Sequence, residues 1–127
     1  EPVMAKANIC PMVDQIEYHP GFTQKACVEF YKKNNILVEA WSSLGRGNVL
    51  NNPLLKSIAA NHGKSVAQVV IRWVMQTGVL PLVKSVTPSR IKENFNIFDF
   101  ELSQQEMFEI ASLKADRIGA DPDTCDF

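Results

Sequence analysis

Three short apolar runs punctuate the chain, beginning at about residues 12, 36 and 79. Met12-Val13-Asp14-Gln15-Ile16-Glu17 reads as a strand. Tyr18-His19-Pro20-Gly21 breaks it, because Pro-Gly is a strong turn signal. Ile36-Leu37-Val38-Glu39-Ala40-Trp41 is nearly all apolar, the pattern of a strand covered on both faces. Val79-Leu80-Pro81-Leu82-Val83 reads as a third strand. Segments with the helical period fill the intervals. Thr23 is placed to cap a helix that runs to about Lys33, turns Ala26, Cys27, Phe30 and Tyr31 inward, and ends at Asn34-Asn35. Asn52-Pro53 opens another, with Leu54, Leu55, Ile58 and Ala59 inward and Gly63 as a natural C-terminal residue. Ser65 to Gln68 is a capping box before a helix that turns Ala67, Val70, Ile71 and Val74 inward and stops at Gly78. Ser103 to Glu106 repeats the box before a last helix through Met107, Ile110, Ala111 and Leu113. Pro2 to Lys6 reads as the end of a helix, and Asp116 to Phe127 as irregular.

Strands alternating with helices predict right-handed crossovers, a parallel sheet and an α/β fold. Three parallel strands do not cover themselves. The sheet therefore reads as part of a larger one, or as one completed by a partner chain. Open edges of this kind favour self-association.

The stretch from Lys84 to Asn94 carries the most specific chemistry. Thr87 is a good N-cap and Pro88 suits the first helical position, so a helix starts there with Arg90 in its first turn and Lys84 just before it. Cations are disfavoured at a helix N-terminus, whose N–H groups already carry partial positive charge. Two of them make sense around an anion, and a phosphate is the usual one. The competing reading is two solvated cations that avoid each other. The other strand ends hold Gln15, Glu17, Trp41 and Ser42. In parallel α/β folds ligands bind at that edge. An aromatic plane, an amide, hydroxyls and two cations suit a planar, phosphorylated cofactor. For Trp41 alone, a core aromatic is the plainer reading.

Composition narrows this further. At 127 residues the chain is one domain at most, and 46% hydrophobic with 21% charged is ordinary globular composition. A formal charge of −1 argues against a general nucleic-acid binder. No apolar run approaches a membrane span, and no signal-peptide pattern opens the chain. Cys10, Cys27 and Cys125 lack metal-ligand spacing and read as reduced, small buried residues of a cytoplasmic protein. No metal site is expected. Tyr18 and His19 read as local loop packing, and His62 as a residue near a helix C-terminus.

MVDQIEYHP, ILVEAWSSLGRG, KSVAQVVIRW and VKSVTPSRIKENFNIFDFELS resemble, in order and spacing, the C-terminal half of the aldo-keto reductases. The last block is the most specific. The Trp at the second strand end and the GADPD tail look most like prokaryotic members such as the 2,5-diketo-gluconate reductases. The resemblance implies part of a TIM (β/α)₈ barrel, strands six to eight with their helices. It implies a parent enzyme that transfers hydride from NADPH to a small aldehyde or ketone. By resemblance, Gln15 meets the nicotinamide carboxamide and Trp41 stacks on its ring. Ser42, Leu44 and Gly45 line the pyrophosphate. Lys84, Ser85, Val86 and Thr87 surround the adenosine ribose and its 2′-phosphate, which Arg90 grips. Glu93 and Asn94 reach the adenine amine. Asp14 stands where Asn is usual, and Ser43 and Val83 where Pro is usual. These changes are expected to tune loop geometry, with Ser43 loosening the pyrophosphate loop. The family's Asp, Tyr, Lys and His tetrad comes from the N-terminal half and is matched by no residue here. The expectation is a chain that carries the cofactor-binding half, has no catalytic residue of its own, is inactive alone and by itself binds cofactor weakly or not at all. The alternative is a stand-alone half-barrel that binds nucleotide or oligomerises without chemistry.

Overall fold

A computed structural model of the chain describes residues 2–125. The last two residues of the tail, read above as irregular, lie outside the described residues. In chain order the elements are α1 (Pro2–Lys6), β1 (Val13–Glu17), α2 (Lys25–Lys33), β2 (Leu37–Trp41), a 3₁₀ segment (Gly45–Asn51), α3 (Pro53–His62), α4 (Val66–Gln76), β3 (Leu80–Pro81), α5 (Pro88–Phe95) and α6 (Gln104–Ala111). The strands form one parallel sheet in the order β1-β2-β3, as the alternation of strand and helix requires. Val13 pairs with Leu37, Gln15 with Glu39 and Glu17 with Trp41.

Register sorts the side chains by face, because a strand alternates with period two. Val38 and Ala40 point to the helices and are fully buried. Val13, Leu37, Leu80 and Leu82 are exposed, with Val13 and Leu37 partners across the ladder. The strand at 36–41 is thus covered on one face only. The third strand is shorter than its apolar run. Pro81 has no N–H to donate, and only Leu80 and Pro81 keep ladder partners.

The core lies between the sheet and helices α3, α4 and α6. Trp73 is its largest fully buried side chain; it stacks on Tyr18 with centroids 5.5 Å apart and donates its Nε1–H to the Met107 carbonyl at 3.3 Å. Around it are Leu55, Ile58, Val69, Val70, Val74 and Ile110. Sequence periodicity places Val70, Ile71 and Val74 inward but omits Val69 and Trp73. The reason is that α4 is buried over most of its circumference. Its remaining polar stripe, Gln68, Arg72 and Gln76 at four-residue spacing, faces the α5–α6 connection. Gln68 donates to the carbonyls of Glu93 and Asn96, Arg72 to Ile97, and Gln76 to Leu102.

The helix starts divide into two kinds. Asn52 accepts from the N–H groups of Leu54 and Leu55, and the boxes at Ser65/Gln68 and Ser103/Glu106 both close. The expected Thr23 cap does not form. Gln24 takes the N-cap position at φ 42, with no side-chain cap, and its amide instead donates to the Glu17 carbonyl at 2.6 Å. The inward face of the helix also differs from the expected one. Val28 is the buried residue of α2, Tyr31 packs against the core, and Ala26 and Cys27 are exposed. Cys10 is exposed too and Cys125 half-buried, so the thiols are not the buried packing residues expected.

Candidate functional site

The C-terminal end of the sheet is built by three chain segments that leave the strands. After β2 the chain turns sharply through Ser42, at φ 55, and the Gly45 N–H donates to the Ser42 carbonyl at 2.7 Å. Ser43, where Pro is usual by resemblance, is buried. Its hydroxyl donates to the Ala40 carbonyl at 3.0 Å. The hydroxyl ties the turn to the last residues of β2, so the loosening expected from this substitution is not what the structure shows.

After β3 the chain reaches α5 through Lys84, Ser85, Val86 and Thr87. Thr87 occupies the N-cap position, but its side chain makes no cap hydrogen bond. The Ser85 hydroxyl accepts from the Thr87 N–H at 3.2 Å instead. No acidic residue stands in the first turn of α5. Its N-terminal dipole is therefore left uncompensated, while α3, α4 and α6 are all closed by side chains. In front of it opens a cavity of about 530 Å³. Its wall includes Leu44, Lys84, Ser85, Val86, Thr87, Arg90, Glu93 and Asn94. Among the described residues neither Lys84 nor Arg90 has a carboxylate within ion-pair distance. Two cations and an open helix N-terminus facing one cavity are groups able to hold an anion.

The structure thus brings eight of the sequence-derived residues to one cavity; the other four, Gln15, Trp41, Ser42 and Gly45, do not line it. Gln15 and Trp41 sit on the sheet. The Gln15 Nε2–H donates to Glu39 Oε2 at 2.7 Å, and among the described residues its Oε1 has no partner. Ser42 and Gly45 bracket the turn after β2. Trp41 is half-buried rather than a core aromatic.

Sequence reading missed Glu17 as a structural centre. It is buried at the end of β1. Its Oε1 accepts from His19 Nε2 at 3.0 Å and from the Ile118 N–H at 2.6 Å; its Oε2 accepts from the Gly119 N–H at 2.8 Å. Burial pushes the carboxyl up, but the two backbone N–H groups and the His19 ring outweigh it and hold Glu17 below the ordinary carboxylate range. The only sequence signal was a charged residue at the strand end. Tyr18 and His19 are buried, in keeping with local packing. His62 Nε2 lies 2.8 Å from Glu106 Oε1, joining α3 to α6. Among the described residues no cluster of His, Cys, Asp and Glu could hold a metal, and no helix is long and apolar enough to cross a membrane.

The sequence pattern of the aldo/keto reductase family matches residues 1–115, and the chain belongs to that family. It is 44% identical over its whole length to an uncharacterized oxidoreductase, YtbE, of Bacillus subtilis (strain 168), and covers 46% of it. It is 48% identical over 97% of its length to a glyoxal reductase of the same organism, covering 45% of that protein. Solved structures agree. A Gox0644 variant crystallised in complex with NADPH superimposes with a TM-score of 0.95 at 42% identity, over 99% of this chain and 47% of that one. The chain thus spans about half the length of the curated relatives it matches. The parallel sheet with its helices is a part of the (β/α)₈ barrel expected from the sequence.

Proposed function

We propose that this chain is the cofactor-binding, C-terminal half of an NADPH-dependent aldo-keto reductase that reduces small aldehydes or ketones. The observation that carries the reading is the cavity at the uncapped start of α5, where Lys84 and Arg90 face an open helix N-terminus. Those groups fit the 2′-phosphate of NADPH, with Glu93 and Asn94 toward adenine. Leu44 and the turn from Ser42 to Gly45 lie on the way from there to Trp41 and Gln15, which suit the nicotinamide. The unpartnered Oε1 of Gln15 can accept from a carboxamide. The cofactor supplies the hydride; this chain's residues bind and orient it. Trp41 and the tail sequence favour the 2,5-diketo-gluconate reductase type, and the likeness to a glyoxal reductase supports a small carbonyl substrate.

Protonating a carbonyl oxygen needs a positioned acid. Tyr18 is stacked on Trp73 inside the core and His19 is held by Glu17, so neither fills that role here. The 127 residues alone bind nucleotide without reducing substrate in this reading. The test is quenching of tryptophan emission by NADPH, with NADH as control. Arg90→Ala should weaken NADPH about 10- to 100-fold, the worth of hydrogen bonds to a charged group, and NADH by less than about 3-fold. Loss of both nucleotides in equal measure, or no saturable quenching of the parent chain, would refute the reading.

A further inference from the structure

We infer that Glu17 is a positioning residue that straps the C-terminal segment across Trp41 and so sets the aromatic surface of the site. Glu17 and Trp41 are register partners at the ends of β1 and β2. The Glu17 carboxylate holds two successive backbone N–H groups, those of Ile118 and Gly119, from more than a hundred residues further along the chain. A buried carboxylate costs heavily unless donors surround it, and here three converge on it. The strap then passes Trp41 at a separation that only glycine permits. A Cβ built on Gly119 would run into Cη2 of the Trp41 ring and lie 2.9 Å from Glu17 Oε2.

Two further contacts guide the segment to that point. The Ala115 N–H donates to the Gly21 carbonyl at 3.2 Å, and Gly21, at φ 93, has no room for a side chain against Ala115. The Arg117 guanidinium lies 5.0 Å from the centre of the Phe22 ring. All three anchors belong to β1 and the loop after it. The strap therefore joins the first strand to the ring at the end of the second. Its consequence for cofactor rests on the reading of Trp41 as the nicotinamide platform.

The experiment compares the full chain with Glu17→Gln and Gly119→Ala, each checked for native far-UV circular dichroism. Glutamine keeps the shape of Glu17 but turns a donor toward converging donors. Acrylamide quenching reads the exposure of Trp41, because Trp73 is fully buried. Both variants should make Trp41 more accessible. Both should weaken NADPH by up to about tenfold, the worth of a well-set aromatic stack on Trp41. Adenosine 2′,5′-bisphosphate, which reaches only the α5 cavity, should bind within about twofold of the parent chain by calorimetry, since those contacts are untouched. Unchanged shielding of Trp41 in both folded variants overturns the inference. So does equal weakening of the two ligands. Should the parent chain bind neither ligand, the cofactor reading is the one that fails, and the shielding of Trp41 still decides whether Glu17 holds the strap. Gly119→Ala keeps that test available if Glu17→Gln does not fold.

Discussion

Gln68 joins the cavity wall at Glu93 to the core, and replacing it should cost more than its cap is worth. The side chain is nearly buried and makes three hydrogen bonds. Its Oε1 accepts from the Ser65 N–H at 2.9 Å, and its Nε2 donates to the carbonyls of Glu93 at 3.1 Å and Asn96 at 2.9 Å. Gln68→Leu keeps the approximate volume and removes all three. The Ser65 N–H is then left without its partner. The Glu93 carbonyl keeps the Asn96 N–H at 3.0 Å, and the Asn96 carbonyl keeps only a long contact to Lys64 Nζ at 3.4 Å. One orphaned donor and two weakened acceptors sum to about 2–4 kcal/mol. Ser65→Ala removes the cap alone and should cost about 1 kcal/mol. At about 4 °C per kcal/mol for a chain of this size, Gln68→Leu should lower Tm by roughly 8–16 °C. Urea unfolding followed by circular dichroism, at matched protein concentration, gives the comparison. A Gln68→Leu cost within about 0.5 kcal/mol of the Ser65→Ala cost, the additivity margin, would mean that α5 is not held through this side chain.

Two other outcomes follow from the same structure. Hydrogen bonding to the Asp14 carboxylate, then burial, then that carboxylate's charge push the Tyr31 phenol up to about 12. A raised folded pKa contributes stability that is full below pH 10 and lost as pH rises through 12. Asp14→Asn should bring part of the phenolate absorbance to lower pH; an unchanged alkaline titration would contradict this. The chain should also associate with itself, because Leu37, Leu80 and Leu82 are exposed on the sheet, Phe95 at the end of α5 and Phe98 just beyond it. Light scattering that reports a stable monomer across concentration would refute it.

How much of this the sequence shows depends on distance along the chain. The boxes at Ser65 and Ser103 are four-residue signals and close as read. Parallel pairing follows from alternation, which is also a local pattern. The cavity at α5 is legible because Lys84 to Asn94 is one continuous stretch. Gln68 shows the limit: its cap is visible in the box, but its grip on Glu93 and Asn96 crosses 25 and 28 residues. Glu17 shows it more sharply, since its partners lie 101 and 102 residues away in a tail without periodicity. The Thr23 cap failed for a local reason. Gln24 adopts a left-handed conformation that uncommonly suits a residue with a Cβ, and its amide bond to Glu17 accompanies it.

All three strands point the same way and follow sequence order, so the two rims of the sheet differ. One rim is β1 and the other β3. A second copy that adds to the β3 rim in the same direction presents its own β1 there and leaves a fresh β3 rim beyond. Such a contact is head-to-tail, and it repeats until a ring closes or a filament grows. A twofold pair would instead set like rims together, and those strands would run antiparallel. Head-to-tail edge assembly of this chain would thus give a ladder of sizes, whereas a twofold pair, or association through the apolar sheet face, can stop at two.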